Sequence, residues 1–303
     1  MAEAVPRIVF CGSTTLDTIY RVPVLPTGPG KILPTAMAVV AHGMAASAAT
    51  AAARLGAEVH LVSRLGDDET GRRIVVELEG EGVRCGAVRR FEGLRSPLCT
   101  VLVDEAGERL VVPYYDPAIP ADPGWLPLGL IDSATAVQTD VRWPAGAALV
   151  LDRARAAGIP AVLDADVGPL EVIADLASRS SHVVFSEPAA LAVSGTDDPW
   201  QALARLSGMF KAFVAVTIGP GGCLWQKGAA ILQARPPEVK AVDTLAAGDV
   251  FHGVFTWALA RREPVEQAIR LANLAAAHKC TVFGGRLGAP RLAEFDAMLQ
   301  DGA

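Results

Sequence analysis

The alternation of short apolar runs with alanine-rich runs limits the possible folds of this chain most strongly. Runs rich in Val, Ile and Leu lie at 7–12, 58–63, 134–140, 160–166, 182–186 and 213–219. Most of them are apolar throughout, as expected of strands that helices cover on both faces. Apolar residues at three- and four-residue spacing predict helices at 45–55, 68–81, 145–157, 200–211, 247–261, 264–280 and 292–299. This order is typical of repeated βα units around a mainly parallel sheet.

Two segments interrupt this order. Residues 17–40 are rich in proline, and residues 89–115 contain two short strand-like runs joined by the turn Glu105-Ala106-Gly107. Such β-structured insertions often cover a site or form a dimer face. We therefore expect a single α/β domain over residues 1–303, with a β lid formed by about 17–42 and 89–115.

Composition excludes several classes of protein. The 27 Lys and Arg residues and 33 Asp and Glu residues give a net charge of −6, so the chain has no basic excess for binding a nucleic acid. The five cysteines are scattered without a C-x-x-C pair, which is typical of reduced thiols. We find neither a secretory signal nor an apolar stretch long enough to span a membrane. The sequence predicts a cytoplasmic protein.

The strongest functional signal is the segment Asp243-Thr244-Leu245-Ala246-Ala247-Gly248-Asp249, where small residues lead into a predicted helix. Backbone N–H groups converge at the start of a helix and form a binding site for an anion. Asp249 then either caps the helix or takes a proton from a nucleophile that attacks a bound phosphate. The residues alone leave both roles open.

The segment DTLAAGDVFHGVF resembles the second signature of the ribokinase (PfkB) family of sugar and nucleoside kinases, D-T-x-G-A-G-D, and Ser63–Gly71 resembles the first. The resemblance extends over nearly the whole chain. It implies a three-layer α/β/α core with a mainly parallel sheet, plus a small β-sheet lid. It also implies transfer of the γ-phosphoryl group of ATP to a primary hydroxyl, with Mg²⁺ bound beside ATP. Whether this chain uses the monovalent cation of many relatives stays open.

The resemblance implies that Asp249 is the catalytic base and that the backbone at Ala246, Ala247 and Gly248 binds the transferring phosphoryl group. Ala246 stands where the family has glycine, and an alanine is acceptable there if its φ is negative. Asp17 is implied to bind sugar hydroxyls. His42-Gly43 replaces the paired glycines of the lid hinge, and Ser47 replaces an asparagine of the sugar site.

The nucleotide is implied to lie along a glycine-containing loop and a neighbouring helix. The nucleotide residues implied are Glu187, Thr217, Gly219, Gly222, Asn273 and Ala276. The family motif N-x-x-E reads Ser186-Glu187-Pro188-Ala189, so its glutamate is absent. We therefore expect phosphate oxygens and water to hold most of the magnesium shell, with Asp164 or Glu187 contributing.

Several departures from the family pattern are shared with its sulfofructose kinase subgroup, including Thr139–Trp143 and Gly284–Arg286. This similarity implies an anionic keto-sugar such as 6-deoxy-6-sulfofructose, whose sulfonate would be held by Gly30-Lys31 and Arg142. Pro113 aligns with the asparagine expected as a third donor. The alternatives are a kinase for fructose, a fructose phosphate, ribose or a nucleoside, and a non-catalytic sugar- or nucleotide-binding regulator. Family resemblance also implies a homodimer joined through the lid.

Overall fold

The computed structural model describes residues 5–301, and within them the strands form one nine-stranded and one four-stranded sheet. The strands are β1 Arg7–Cys11, β2 Thr15–Arg21, β3 Ala36–His42, β4 Glu58–Gly66, β5 Val83–Phe91, β6 Leu98–Val103, β7 Arg109–Tyr114, β8 Ala136–Asp140, β9 Ala161–Ala165, β10 His182–Ser186, β11 Phe213–Thr217, β12 Cys223–Lys227 and β13 Ala230–Ala234.

The helices are α1 Met44–Arg54, α2 Glu69–Gly80, α3 Leu128–Asp132, α4 Pro144–Ala157, α5 Leu170–Arg179, α6 Glu187–Ser194, α7 Pro199–Met209, α8 Ala247–Ala260, α9 Val265–Cys280 and α10 Leu292–Asp301. Each helix predicted from the sequence is present, with ends within two residues of those expected. Helices α3, α5 and α6 were not predicted. Helices α3 and α6 have only five and eight residues, too few to show a clear apolar period, and α5 begins directly after Pro169.

The large sheet has the order β13-β12-β11-β10-β9-β8-β1-β4-β5. Strands β5 to β11 of this order pair in parallel, whereas β12 and β13 add an antiparallel edge. One hydrophobic core packs α1, α8 and α9 against one face, and a second core packs α4, α5 and α7 against the other. The predicted three-layer architecture is confirmed, and it brings the carboxyl ends of the parallel strands to one edge.

The small sheet has the order β3-β2-β6-β7 and lies over that edge. Strands β2 and β6 pair in parallel, and the other two pairs are antiparallel. After β3, the next strand of the small sheet begins only at Leu98, because residues 83–91 pair with β4 in the large sheet. The sequence analysis started the lid segment at residue 89, which is the seventh of the nine residues of β5. Strand β5 alternates buried and exposed residues as an edge strand does, and resembles a lid strand in sequence.

No helix within residues 5–301 combines the length and the apolar character that crossing a membrane requires.

A buried arginine fixes the end of β3, which enters the cleft described below. The Arg286 side chain is 0% exposed, and its Nε donates to the carbonyl oxygen of Ala41. Its Nη2 lies 2.6 Å from Glu77 Oε1, and its Nη1 lies 3.4 Å from Glu81 Oε1. The guanidinium thereby joins the small sheet to helix α2 and the segment after α9.

Replacing this arginine tests how much the joint contributes to stability. We expect Arg286→Ala to lower the free energy of unfolding by about 3 kcal/mol, because it leaves the buried Ala41 carbonyl and the Glu77 carboxylate without their cationic partner. Arg291 also contacts Glu81, but its side chain is 64% exposed, so Arg291→Ala should cost less than about 1 kcal/mol. Urea denaturation of both variants measures the difference, and equal losses would contradict the assignment.

Candidate active site

A cleft of about 1130 Å³ separates the carboxyl edge of the large sheet from the small sheet. The small sheet contributes Asp17, His42, Cys99, Arg109, Val111 and Pro113 to its wall. The large sheet contributes the loops after β9, β10 and β11 and the start of α8. Concave sites of this kind at strand ends are the usual place of ligand binding in parallel α/β proteins.

The start of α8 forms the floor of the cleft. Ala246 precedes the helix with φ 65° and ψ 8°, so the negative φ that would suit an alanine is not the one observed. The chain must reverse direction between the segment ending at Leu245 and the helix starting at Ala247, and a left-handed residue makes that turn. For an alanine this conformation costs roughly 1–2 kcal/mol.

Within the described part of the chain, no side chain caps α8. Asp249 lies in its first turn and lines the cleft, so the capping role that the sequence left open is not the one observed. The N–H of Ala247 donates to the carbonyl oxygen of Thr244 at 3.2 Å. The positive end of the helix faces the cleft, because Ala246 and Gly248 line it.

The Asp249 carboxyl group has a pKa well above its ordinary value. Burial is the main cause, and the nearby Asp164 and Asp166 carboxylates add to it, while His252 acts in the opposite direction. A carboxylate whose pKa is raised toward the working pH is a better proton acceptor than an ordinary aspartate. Asp249 therefore has the environment of a general base.

Asp164 lies near the end of β9, and Asp166 is the first residue after this strand. Asp164 is 3% exposed, burial raises its pKa well above the usual range, and its Oδ1 lies 3.5 Å from Nε2 of His252. Asp166 accepts a hydrogen bond from Ser186 Oγ at 2.9 Å and contacts Nη2 of Arg142 at 3.1 Å. Asp166 thus connects the end of β10 with Arg142, a link that the sequence analysis missed.

The donor set for magnesium is sparse. Glu187, half-buried at the first position of α6, lines the cleft with Asp164 and Asp166. Within residues 5–301, no group of three or more His, Cys, Asp or Glu side chains is arranged to hold a metal ion. These residues fit a magnesium ion that takes one or two carboxylates and receives its remaining oxygens from phosphates and water.

At the lid end of the cleft, Asp17 pairs with His42. Asp17 Oδ1 accepts from Thr15 Oγ1 at 2.5 Å, and Oδ2 lies 3.2 Å from His42 Nδ1. Burial raises the pKa of Asp17 to about 7. Burial, with the charges of Arg286 and Lys279, lowers the pKa of His42 to about 3. His42 is therefore a neutral hydrogen-bonding partner of Asp17, whereas the sequence analysis saw only a replaced hinge glycine.

The remaining predicted sugar residues divide into two groups. Gly43 lines the cleft with φ 102°, and a Cβ there would lie 2.6 Å from the carbonyl oxygen of Ser13, so the position requires glycine. Ser47 is fully buried in α1, and Gly30 and Lys31 are exposed in the β2–β3 connection. These three lie outside the described cleft wall, and their assignment as sugar ligands stays a prediction.

Arg142 lines the cleft, but its guanidinium is already partly engaged. Its Nη1 donates to Val167 O at 2.8 Å, and its Nη2 contacts Asp166 Oδ2. Pro113 also lines the cleft and offers no side-chain donor. Arg142 borders a second cavity of about 210 Å³ that Arg64 also lines.

The predicted nucleotide residues Thr217, Gly219, Gly222, Asn273 and Ala276 all line the other end of the cleft. Gly222 has φ 83°, and a Cβ there would come within 2.0 Å of Ala234 O. Asn273 Nδ2 donates to the same carbonyl at 2.8 Å. The irregular segment 235–241 completes this wall, and no recognisable motif marked it in the sequence.

The small sheet directly contacts the loop 243–248, which leads into α8. Thr244 Oγ1 donates to Gly107 O at 3.0 Å and accepts from Arg109 Nη1 at 3.0 Å. Leu245 is buried in the hydrophobic core of the small sheet, next to Val101. The lid and the start of α8 are therefore packed as one unit.

Comparisons with known proteins agree with this geometry. A family model described as pfkB family carbohydrate kinase matches residues 5–292. The chain is 27% identical to the ribokinase of Bacillus subtilis (strain 168) over 297 residues, which is 97% of this chain and 99% of that protein.

Solved structures give the same result. An Agrobacterium tumefaciens protein named provisionally as a ribokinase superposes with a TM-score of 0.93 at 43% identity, over 98% of both chains. The Arabidopsis thaliana ribokinase in complex with ribose and ATP superposes with a TM-score of 0.84 over 98% of this chain and 99% of that chain; its 24% identity supports the fold alone. Since the family model spans nearly the whole chain, this protein belongs to the pfkB family of carbohydrate kinases, which are phosphotransferases with an alcohol group as acceptor.

Proposed function

We propose that this kinase transfers the γ-phosphoryl group of ATP to the primary hydroxyl of a small sugar that lies between Asp17 and Asp249. The observation that carries the proposal is the environment of Asp249. It stands at the uncapped start of α8 with a raised pKa, in the same cleft as the buried Asp17. A base and an anion site in one cleft are the parts that phosphoryl transfer requires.

In this mechanism, Asp249 takes the proton of the sugar hydroxyl as the hydroxyl oxygen attacks the γ-phosphorus. The bond from the γ-phosphorus to the bridging oxygen breaks, and ADP leaves. The backbone at Ala246, Ala247 and Gly248, with the positive end of α8, stabilises the charge on the transferring group. Asp17 accepts hydrogen bonds from sugar hydroxyls and holds the acceptor in line. The same Asp249 speaks against a non-catalytic regulator, which has no use for a base at this point.

ATP lies along the loop 217–222, with its base beside Asn273 and Ala276. Glu187, Asp164 and Asp166 are the carboxylates that would hold magnesium with the phosphates. When bound, this ion neutralises charge on the phosphate oxygens. The sequence also predicted a cytoplasmic homodimer. The outer face of the lid supports the dimer, because it exposes Met37, Leu98, Leu110, Val112 and Tyr114; the cytoplasmic location stays a prediction.

The site favours a neutral acceptor of the ribose or fructose type. Arg142 is partly neutralised by Asp166, Lys31 is exposed outside the cleft wall, and Pro113 cannot donate. The three groups expected to hold a sulfonate therefore supply few free donors. Relatives named ribokinase, from Bacillus subtilis and Haemophilus influenzae, are consistent with this class.

An anionic keto-sugar such as 6-deoxy-6-sulfofructose is the second candidate. Arg142 and Arg64 both line the second cavity beside the cleft, and two guanidinium groups suit a tetrahedral anion. Relatives named 2-dehydro-3-deoxygalactonokinase and ATP-dependent ribose-1-phosphate kinase show that acceptors bearing an anionic group occur among proteins of similar sequence.

The role of Asp249 is tested by Asp249→Asn. We expect turnover to fall by about two orders of magnitude or more, because the variant cannot accept the proton. ADP binding by calorimetry and the melting temperature should stay near those of the wild type, since the substitution removes a buried charge and keeps the shape. Near-normal turnover would sink the assignment.

The raised pKa of Asp249 predicts the pH dependence of kcat/KM. The base must be ionised, so activity falls as pH drops through its pKa, and this acid limb should lie well above the ordinary aspartate value of about 4. Asp164→Asn removes a like charge and should move the limb to lower pH, whatever its effect on the maximal rate. The exposed Asp152→Asn serves as control and should leave the limb in place. A limb that stays fixed in Asp164→Asn would contradict the coupling.

The acceptor is identified by coupled ATP-to-ADP assays with ribose, fructose, fructose 6-phosphate, 6-deoxy-6-sulfofructose and a nucleoside. For a neutral acceptor, Arg142→Met should change kcat/KM by less than about threefold. An anionic acceptor should lose about 10- to 100-fold, as one charge-assisted hydrogen bond is removed. Arg179 is, like Arg142, about one-third exposed and paired with aspartate, so Arg179→Met is the matched control. Turnover restricted to anionic acceptors and dependent on Arg142 would reverse the order of the two candidates.

A further inference from the structure

Lys279, at the end of α9, carries a buried ammonium group that the proposed reaction does not use. Its side chain and that of Asp243 are both 0% exposed. Nζ lies 2.5 Å from Asp243 O, 3.4 Å from Val282 O and 3.5 Å from Asp243 Oδ2. An ammonium has three N–H donors, and these three oxygens surround it with acceptors.

The Asp243 carboxylate extends the same network into the loop 243–248, the proposed catalytic loop. Its Oδ1 accepts from the Leu245 N–H at 2.8 Å, and its Oδ2 accepts from the N–H groups of Gly284 and Gly285 at 2.9 Å each. The Asp243 N–H in turn donates to Cys280 O at 3.1 Å. The pair therefore joins the beginning of the catalytic loop to the end of α9 and the turn that follows it.

Stability alone is a weak reason for such a pair. Desolvating two charges costs several kcal/mol per ion, and apolar replacements of buried pairs are often as stable or more stable. What a fully partnered pair provides is a fixed geometry. The residue three positions after Asp243 is Ala246, whose left-handed conformation persists only where its surroundings hold it.

The oxygens around Nζ are of the kind that bind a monovalent cation. Backbone carbonyls and a carboxylate are the ligands that replace the hydration shell of such an ion. Here the carbonyls of Asp243 and Val282 and the Asp243 carboxylate already contact Lys279. A separate cation on the same oxygens does not fit beside the ammonium, in size or in charge.

We propose that the Lys279 ammonium is a tethered cation that positions the loop 243–248, so that phosphoryl transfer by this chain needs no added monovalent cation. Lys279 acts through Asp243 and is a positioning residue. The inference rests on the anion site proposed above, and it replaces the free cation that family resemblance left open.

The test compares the full-length wild type with Lys279→Ala, Lys279→Met and the control Lys227→Ala. Lys227 is exposed and pairs with Glu266, far from the loop. Turnover with an accepted sugar and the melting temperature are measured in tetramethylammonium, potassium and ammonium chloride at equal ionic strength. Tetramethylammonium is too large for the space that Lys279→Ala leaves. In Lys279→Met, the methionine side chain itself fills that space.

Wild type and Lys227→Ala should turn over at rates that agree within about twofold in all three salts. Lys279→Ala should lose roughly 30-fold or more in kcat in tetramethylammonium, as expected when a preorganised anion site loosens. Potassium or ammonium should restore part of this kcat and raise the melting temperature of Lys279→Ala alone. Lys279→Met should stay slow in every salt.

Strong stimulation of the wild type by potassium, about tenfold or more, would overturn the proposal without any variant. Undiminished kcat of Lys279→Ala in tetramethylammonium would also overturn it, as would a slow Lys279→Ala whose kcat and melting temperature ignore the added cation. A wild type without turnover on any sugar would instead contradict the proposed function. The melting temperatures would still report on the cation in that case.

Discussion

The buried Asp243 carboxylate is the contact on which the active-site geometry depends. It receives hydrogen bonds from Leu245, Gly284 and Gly285 and lies beside the Lys279 ammonium. These groups come from two segments that are distant in sequence, 243–245 and 279–285, and all of them are buried. A carboxylate with this many fixed donors cannot move without breaking several bonds at once. The chain runs from Asp243 directly into α8, so the first turn of this helix is held in place as well. Electrostatic catalysis requires groups that are fixed in this way.

Much of the fold could be predicted because buried parallel strands and amphipathic helices differ clearly in period. The apolar runs at β1, β9 and β10 identify strands without help from tertiary contacts. Strand β5 shows where this reasoning fails. Its alternation of buried and exposed residues fits a sheet edge as well as a lid strand, and only the pairing with β4 decides between them. Pairing partners lie far apart in sequence, so periodicity carries no information on them.

The site was predictable where function needs a residue type at a fixed place on one loop. Asp249 and the glycines at 219 and 222 belong to such loops, and all of them line the cleft. The contacts of Arg142 with Asp166 and of Asp17 with His42 could not be predicted, because they depend on side-chain directions across different elements. The positive φ of Ala246 could not be predicted for a related reason. The local sequence shows only the conformational cost of a positive φ, whereas the contacts that hold this conformation come from Asp243 and its partners.

The hydrophobic core of the lid is not made by the lid alone. Leu245 packs there with Ile19 and Val101, although it belongs to the loop that leads into α8. If the lid swings away from the large sheet, it must either leave Leu245 exposed to water or pull the catalytic loop with it. Burying a leucine is worth roughly 1.5–3 kcal/mol. A movement of the lid therefore also changes the geometry of the catalytic loop. A substitution in the lid interior will change turnover, and not only substrate binding.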